Sequence, residues 1–391
     1  MPINNSFFKL PEELKREFHK SFASEDDAKI FFFLRKLLQF VENDNSSYNV
    51  LLLFENPLKN DENRKFIDNL NNSCRKFLES KKMASDKHTS GSALCYIGVG
   101  YEYGFFGCPR DYREAFDSYL ISSQLNHDLG TYKLAQCFEQ GKGTSNDSEK
   151  ALYFYRCAAK LGLVDALHVY GSILANGYLG TRSDQKTGLH YMSLAAVNAS
   201  KLYPYPLFDI GKWYETKQES LDITVDEQYS FDVYMKGANL NDPNSQYRIA
   251  KCYENGELKR NKSLSTAVDW YKKAAENGQI DAQMMLFGFY STGVMNSVRK
   301  DFGKSYYWAL RAGIKGNARA VFFLGEYARS GTGIKQDILL ALWWYTVSAS
   351  MGSYEAKIKM RETRAEIERR DIGPEIPYMC CGIVIYKYYD D

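Results

Sequence analysis

The residues of this chain best suited to nucleophilic chemistry include three serines that each precede a lysine by three positions. In such a pair the lysine amine can accept the proton of the serine hydroxyl, as in some acyl-transferring hydrolases. The pairs are Ser73–Lys76, Ser183–Lys186 and Ser297–Lys300. No companion motif accompanies them, and two fixed residues recur by chance in a chain this rich in serine and lysine. We therefore predict that the chain is not an enzyme.

The histidines and cysteines do not have the spacing of metal ligands. No His-x3-His or Cys-x2-Cys pattern occurs, so we expect no metal and no other cofactor. The five histidines are His19, His88, His127, His168 and His190. The eight cysteines are Cys74, Cys95, Cys108, Cys137, Cys157, Cys252, Cys380 and Cys381. Cys137 and Cys157 could approach one another, but one pair is not a disulfide framework, and we expect free thiols.

Composition excludes several classes of function. The chain has 391 residues, of which 45% are hydrophobic and 25% charged, and its net charge is +2. With no basic half and no long charge run, we expect no general affinity for nucleic acid. No run approaches the ~20 apolar residues that span a bilayer, and the first residues lack the apolar core of a secretory signal. We predict a soluble, cytoplasmic protein, with export as an effector left open.

A capping residue recurs seven times in one register, six times as aspartate and once as serine, and indicates the elements on which most of these residues lie. The positions are Asp111, Asp147, Asp184, Asp226, Ser263, Asp301 and Asp337, separated by 36, 37, 42, 37, 38 and 36 residues. A small residue follows four positions later, at Ala115, Ala151, Gly188, Ser230, Ala267, Ser305 and Ala341. Such a period predicts a stack of supersecondary units rather than a single compact core. Stacks of this kind present long binding surfaces.

Residues 318–352 show what one unit contains. Small and apolar residues at helical spacing are followed by Gly331-Thr332-Gly333, which is a helix-stop signal. That segment resembles part of a phosphate loop, but no strand precedes it and no Gly-Lys-Ser/Thr follows it. Asp337 then can cap a second helix, which ends at Gly352. Each unit is therefore predicted to be two antiparallel helices.

These phased glycines, caps and aromatics resemble the Sel-one-like repeat, a relative of the tetratricopeptide repeat. The resemblance covers residues 92–352, seven units in all. It implies an all-α fold, a right-handed α-solenoid of helix-turn-helix repeats that scaffolds protein complexes. The departures are Ala135 and Phe287 at a usual glycine site and Pro206 at the usual first alanine. The fourth repeat is the least regular.

The ends of the chain do not fit the repeat. Residues 1–91 have helical patterns and predict an N-terminal helical cap or a separate docking element, with residues 81–91 as a polar junction. Val50–Phe54 is either a helix end or a strand. Residues 353–391 predict a capping helix and a short apolar tail, which either packs on the last repeat or is read by a partner.

Two stripes on the first helices are candidate binding residues. The first stripe is counted from the first small residue of the first helix in each repeat. Two positions after that residue, the side chain is mostly aromatic, which suits contact with a peptide or helix. The candidates in this stripe are Tyr132, His168, Phe208, Tyr247 and Phe322. Seven positions later, four of seven repeats carry glutamate, and Glu215 and Glu254 are the candidates to orient a basic or polar partner. The alternatives are that the aromatics pack between repeats and that the glutamates are a solvated helix end.

We interpret the chain as a non-enzymatic adaptor that binds one or more proteins or peptides through the concave face of the solenoid. We expect no nucleic acid and no small-molecule substrate. The resemblance also allows a regulatory subunit that activates a membrane-associated enzyme, or an effector protein of an intracellular bacterium. A secreted hydrolase or penicillin-binding repeat protein is the least supported, because regular cysteine pairs and a signal peptide are absent.

Overall fold

The described part of the chain consists mainly of α-helices. A computed structural model describes residues 12–24, 26–43, 61–216, 225–294, 297–369, 379–380 and 383–384. The helices of this part of the chain are α1 (Glu12–Ala23), α2 (Asp27–Asn43), α3 (Asp61–Lys81), α4 (Lys87–Tyr103), α5 (Tyr112–Gln124), α6 (Asp128–Gln140), α7 (Ser148–Lys160), α8 (Val164–Asn176), α9 (Gln185–Val197), α10 (Pro206–Glu215), α11 (Glu227–Asn239), α12 (Pro243–Asn255), α13 (Leu264–Glu276), α14 (Ile280–Thr292), α15 (Phe302–Ile314), α16 (Ala318–Ser330), α17 (Ile338–Ser350) and α18 (Tyr354–Arg369). Strands β1 (Met379–Cys380) and β2 (Ile383–Val384) pair antiparallel.

Helices α4 to α17 pair in sequence order into seven helix-turn-helix repeats. Repeat one is α4 with α5, and repeat seven is α16 with α17. The chain divides into two compact units, Met1–Asp242 with repeats one to four and Pro243–Asp391 with repeats five to seven. The prediction of an all-α solenoid of about seven repeats is confirmed.

The recurring aspartate begins the second helix of every repeat, as predicted. In each case the side-chain oxygen accepts a hydrogen bond from a backbone N–H in the first turn, which otherwise has no partner. The capping residues are Asp111, Asp147, Asp184, Asp226, Ser263, Asp301 and Asp337. The cap explains why aspartate and serine share one register.

Two turn glycines permit close approach between successive repeats. Gly143 has φ 70°, and a Cβ atom there would lie 2.0 Å from the carbonyl oxygen of Tyr112 in the preceding repeat. Gly333 has φ 75°, and its Cβ would lie 2.5 Å from the carbonyl oxygen of Phe302. A side chain at either position is excluded both by the backbone conformation and by the neighbouring helix.

The glycine in the middle of the first helix makes room for a tyrosine of the second helix. A Cβ at Gly211 or Gly325 would lie 2.5 Å from the ring of Tyr234 or Tyr345, respectively. Repeat six reverses the sizes: Phe287 replaces the glycine and Ala309 replaces the tyrosine, and both are buried in one cluster. Phe287, a departure from the repeat pattern, is thus matched by a small residue on the facing helix.

Repeat four is the least regular, as expected. Its first helix has 10 residues and begins with Pro206, whereas the other first helices of repeats two to seven have 13. Proline fits at this first helical position because the N–H there has no intrahelical partner. Residues 217–224, which form the long connection, lie outside the described residues.

The N-terminal helices pack on repeat one. Phe31 of α2 stacks on Tyr96 of α4 with ring centroids 6.1 Å apart, and Arg75 of α3 donates to the carbonyl oxygen of Gly107 at 3.1 Å. The predicted junction at residues 81–91 is wrong in its second half, because α4 already begins at Lys87, where Asp86 accepts a hydrogen bond from the Thr89 N–H. The segment 50–54 lies outside the described residues.

Candidate protein-binding surface

Four of the stripe aromatics pack on the buried tyrosine of their own repeat. The ring centroids of Tyr132 and Tyr155 are 5.6 Å apart. The same relationship holds for Phe208 with Tyr234 at 5.7 Å, Tyr247 with Tyr271 at 5.6 Å and Phe322 with Tyr345 at 5.9 Å. The four stripe residues remain half-buried, so each has one ring face or edge in the core and part of its surface exposed.

The stripe of glutamates is tied to the same tyrosines. The hydroxyl of Tyr234 donates to Glu215 at 2.7 Å and that of Tyr271 to Glu254 at 2.6 Å. Repeats one and two have the corresponding bonds, from Tyr119 to Glu102 at 2.8 Å and from Tyr155 to Glu139 at 2.5 Å. These carboxylates therefore have structural partners, and only part of their surface is available to another molecule.

Burial keeps the proton on these tyrosines. It raises the pKa of Tyr155, Tyr271 and Tyr345 far above 10, and the hydrogen bond to a carboxylate adds to the effect. A neutral tyrosine donates to an ionised carboxylate, which is a stronger hydrogen bond than one between two neutral groups. The aromatic, tyrosine and glutamate of one repeat thus form a connected unit between its two helices.

His168 lies in a different setting from the other stripe residues. Its Nδ1 is 3.1 Å from the Tyr203 hydroxyl and its Nε2 is 2.6 Å from Oδ2 of Asp209. Tyr203 precedes repeat four and Asp209 lies on α10, so the histidine connects repeats three and four. Sequence reasoning missed both partners, because neither occupies a recurring register.

The N-terminal helix α2 reaches as far as repeat three. The Nη2 atom of Arg35 is 2.7 Å from Oδ1 of Asp165, and the two side chains are 22% and 13% exposed. Asp165 lies in the first turn of α8. The side chain of Arg35, from α2, therefore binds a carboxylate on the first helix of repeat three.

A buried charge cluster joins repeats one and two. Glu102 accepts from Tyr119, its Oε1 is 3.1 Å from Nζ of Lys142, and its Oε2 is 3.7 Å from Nζ of the fully buried Lys133. Burial by itself raises the pKa of Glu102, but the two lysines and the tyrosine hydroxyl outweigh it and the net shift is downward. The carboxylate therefore stays ionised inside the protein.

His127 caps α6 from a buried position. Its Nδ1 accepts a hydrogen bond from the Gly130 N–H at 3.1 Å, and its Nε2 is 3.0 Å from Oγ of Ser92 on α4. Burial lowers the pKa of His127 to about 4. A proton on Nδ1 would remove the cap, so the ring is neutral in the folded protein near neutral pH.

The residues first considered for catalysis have structural surroundings. Ser73 lies within α3, where its hydroxyl is 3.3 Å from Asn69, and Ser183 donates to the Ala175 carbonyl at 2.7 Å in an interhelical loop. Ser297 lies in the loop before α15. Gly331 is the left-handed C-cap of α16.

Within the described ranges, no group of three His, Cys, Asp or Glu residues could hold a metal ion, and six of the cysteines have free thiols. The six are Cys74, Cys95, Cys108, Cys137, Cys157 and Cys252. The side chains of Cys380 and Cys381 lie outside the description. In the same part of the chain, no helix has the length and apolar character needed to cross a membrane.

The arrangement of capped hairpins, matched glycine–tyrosine pairs and stacked repeats defines a Sel1-type repeat protein. The family model described as Sel1 repeat matches residues 91–127, 129–163, 164–196, 243–279, 280–317 and 318–353. The chain therefore belongs to the Sel1 repeat family. The fourth repeat, with Pro206 and its long connection, is the one that the family model does not match.

Two curated relatives of the chain are yeast proteins named for the regulation of chitin synthase. It is 28% identical over 276 residues to chitin synthase regulatory factor 3 of Schizosaccharomyces pombe, which covers 71% of this chain and 30% of the relative. It is 29% identical over 285 residues to the chitin synthase regulator SKT5 of Saccharomyces cerevisiae, covering 72% and 40%. The chain thus matches less than half the length of these relatives. Their names describe regulators, and the match to the Sel1 repeat confirms the prediction of a repeat protein.

Two solved structures share the fold. A Sel1 repeat protein from Oxalobacter formigenes superposes with a TM-score of 0.54 at 21% identity, covering 84% of this chain and 89% of that one. The c5321 antigen of uropathogenic Escherichia coli has a TM-score of 0.51 at 19% identity, covering 91% and 79%. At these identities the likeness concerns the fold alone.

Proposed function

We propose that this protein is a non-enzymatic regulator of a membrane-associated enzyme of the chitin synthase type. The observation that carries the proposal is the similarity over 71% and 72% of the chain to proteins named as regulators of that enzyme. Regulation without catalysis requires a surface for another protein, and stacked first helices with half-exposed aromatics provide one. This favours the regulatory alternative over a general adaptor and over a bacterial effector.

The candidate contact residues fall into two groups, one in each compact unit. Tyr132, His168, Phe208 and Glu215 belong to residues 1–242, and Tyr247, Phe322 and Glu254 belong to residues 243–391. Each of the four aromatics Tyr132, Phe208, Tyr247 and Phe322 is supported from behind by a buried tyrosine. A rigid aromatic with an exposed face contributes contact area without losing much conformational freedom on binding.

The test is co-precipitation of the purified protein with chitin synthase from membranes of a Saccharomyces cerevisiae strain that lacks SKT5. We expect chitin synthase in the precipitate and increased synthesis of chitin by the membranes. A folded protein that neither binds the enzyme nor changes its activity would contradict the proposal.

Alanine variants of the four stripe aromatics locate the surface. A central aromatic contact costs about 2 kcal/mol of binding free energy or more when truncated. Because each ring also packs on a buried tyrosine, thermal unfolding is measured on every variant. Lost binding with unchanged unfolding assigns the contact to that ring, whereas retained binding in all four variants excludes the stripe as the contact surface.

A further inference from the structure

Repeats two and five carry the same four residue types at the same four positions. We call them the repeat-two site, formed by Tyr132, Glu139, Tyr155 and Asp165, and the repeat-five site, formed by Tyr247, Glu254, Tyr271 and Asp281. In both, the stripe tyrosine packs on the buried tyrosine, which donates to the glutamate. In both, the aspartate lies in the first turn of the next repeat. No other repeat of the sequence combines a stripe tyrosine with this aspartate.

The repeat-two site shows what such an arrangement binds. The guanidinium of Arg35, from helix α2, pairs with Asp165 at 2.7 Å. Tyr132 and Asp165 lie on the first helices of successive repeats, α6 and α8. The planar guanidinium of arginine can donate two N–H groups to one carboxylate and can lie against an aromatic ring. Arginine therefore suits a tyrosine and an aspartate better than lysine does.

At the repeat-five site the aspartate is exposed. Asp281 accepts a hydrogen bond from the side chain of Gln279 at 3.2 Å, and it acts electrostatically on Tyr247. No ion pair between Asp281 and a basic side chain occurs within the described residues. Two cations on α12, the helix that carries Tyr247, have other partners: Nζ of Lys251 is 3.0 Å from Glu254, and Arg248 pairs with Glu257.

We propose that the repeat-five site binds an arginine presented by a helix of a partner protein, as the repeat-two site binds Arg35 of this chain's own α2. Tyr247 provides the ring and Asp281 the carboxylate. Met284, half-buried at the stripe position of repeat six, provides a flexible apolar contact for the same helix. The partner is therefore an amphipathic helix that carries arginine beside its apolar face.

Helix α2 itself supplies the probe. Residues 26–43, fused to a soluble carrier protein, present Arg35 beside an apolar face, and the Arg35→Gln form is the matched ligand. Affinity is measured for the full chain and for its Asp281→Lys, Asp281→Asn and Asp165→Lys variants. Asp269→Lys is the control, because Asp269 is 71% exposed on the second helix of repeat five, where its partner is Lys272.

We expect the full chain to bind the probe. Asp281→Lys should weaken binding at least about fivefold. Loss of an exposed ion pair alone weakens binding by up to about fivefold, and the introduced lysine adds repulsion of the arginine. Asp281→Asn should lie between the two, and Asp269→Lys should bind as the parent does. The Arg35→Gln probe should bind the parent about as weakly as the unmodified probe binds Asp281→Asn, because both changes remove the ion pair without adding repulsion. Thermal unfolding verifies that each variant is folded.

Four results would overturn the proposal. The first is no binding of the probe, the second is equal binding by the parent and Asp281→Lys, and the third is equal binding of the two probes. An effect of Asp165→Lys alone also overturns it, because the probe would then exchange with α2 at the repeat-two site. The inference names a partner chemistry for the proposed function, but the test contains no chitin synthase, so its failure leaves the regulatory proposal standing.

Discussion

The hydroxyl of Tyr345 in repeat seven donates to Glu326 at 2.5 Å, whereas the buried tyrosines of earlier repeats donate to a glutamate one turn further along the first helix. In repeat seven that later position is occupied by Arg329. The guanidinium of Arg329 pairs with Glu366 of α18 at 3.0 Å. In repeat seven the buried tyrosine therefore still has a carboxylate partner. Arg329, at the position of the glutamate in earlier repeats, binds the capping helix α18.

The tyrosine–glutamate bond predicts a measurable stability term. Tyr345→Phe removes only the hydroxyl and should lower the free energy of unfolding by about 1–2 kcal/mol, within the range for a hydrogen bond to a charged group. Urea unfolding measures it. Tyr178→Phe is the control, because Tyr178 is 58% exposed and should show no change. Equal stability of the two variants would show that the bond contributes nothing.

The exchanged sizes in repeat six predict coupling between two positions. Phe287→Gly alone should cost about 3 kcal/mol or more by leaving a cavity, and Ala309→Tyr alone should be destabilising by overpacking. The double variant restores the pairing seen at Gly325 and Tyr345. Its loss of stability should be smaller than the sum of the losses of the two single variants. A double-mutant cycle measures this coupling, and strictly additive effects would contradict the interpretation.

The buried cluster around Glu102 predicts asymmetric effects of mutation. Glu102→Gln leaves Lys133 buried beside an uncharged amide and should cost about 3 kcal/mol. The double variant Glu102→Gln, Lys133→Met removes the charge as well and should recover much of that loss. Chemical unfolding compares the two. A double variant less stable than Glu102→Gln would show that Lys133 does not depend on this carboxylate.

His127 predicts a loss of stability on acidification. The unfolded chain takes up a proton on this ring near pH 6.5, but burial delays protonation in the folded protein to about pH 4. Stability should therefore fall from pH 6.5 to pH 4, by up to about 3 kcal/mol. Asp128 opposes the shift in pKa, whereas His88 and Arg35 reinforce it.

The matched variant for this prediction is His127→Asn, which can still cap α6 but does not titrate. Unfolding by urea at several pH values gives the difference in stability between the parent and this variant. As the pH falls from 6.5 to 4, the variant should become more stable relative to the parent. A constant difference across that range would show that His127 is not held neutral by the fold.

The parts of the structure that repeat could be predicted from the sequence, and the parts that occur once could not. Asp337 and the turn glycines recur in phase, and local backbone geometry is enough to explain them. The glutamate stripe was also in register, but its partner tyrosines lie 16 to 19 residues away on another helix. The contact between Arg35 and Asp165 spans 130 residues with no periodic signal. It depends on how α2 packs, which no local pattern determines.

The exchange of Phe287 and Ala309 has a consequence for how such a gene can change length. Recombination between similar repeats adds or removes segments, and a crossover in the turn of a hairpin would join the first helix of repeat six to the second helix of another. Phe287 would then meet a tyrosine in a space that holds one large ring. Crossovers between hairpins keep each matched pair together, so duplication and loss are tolerated only in whole helical pairs at this point of the chain.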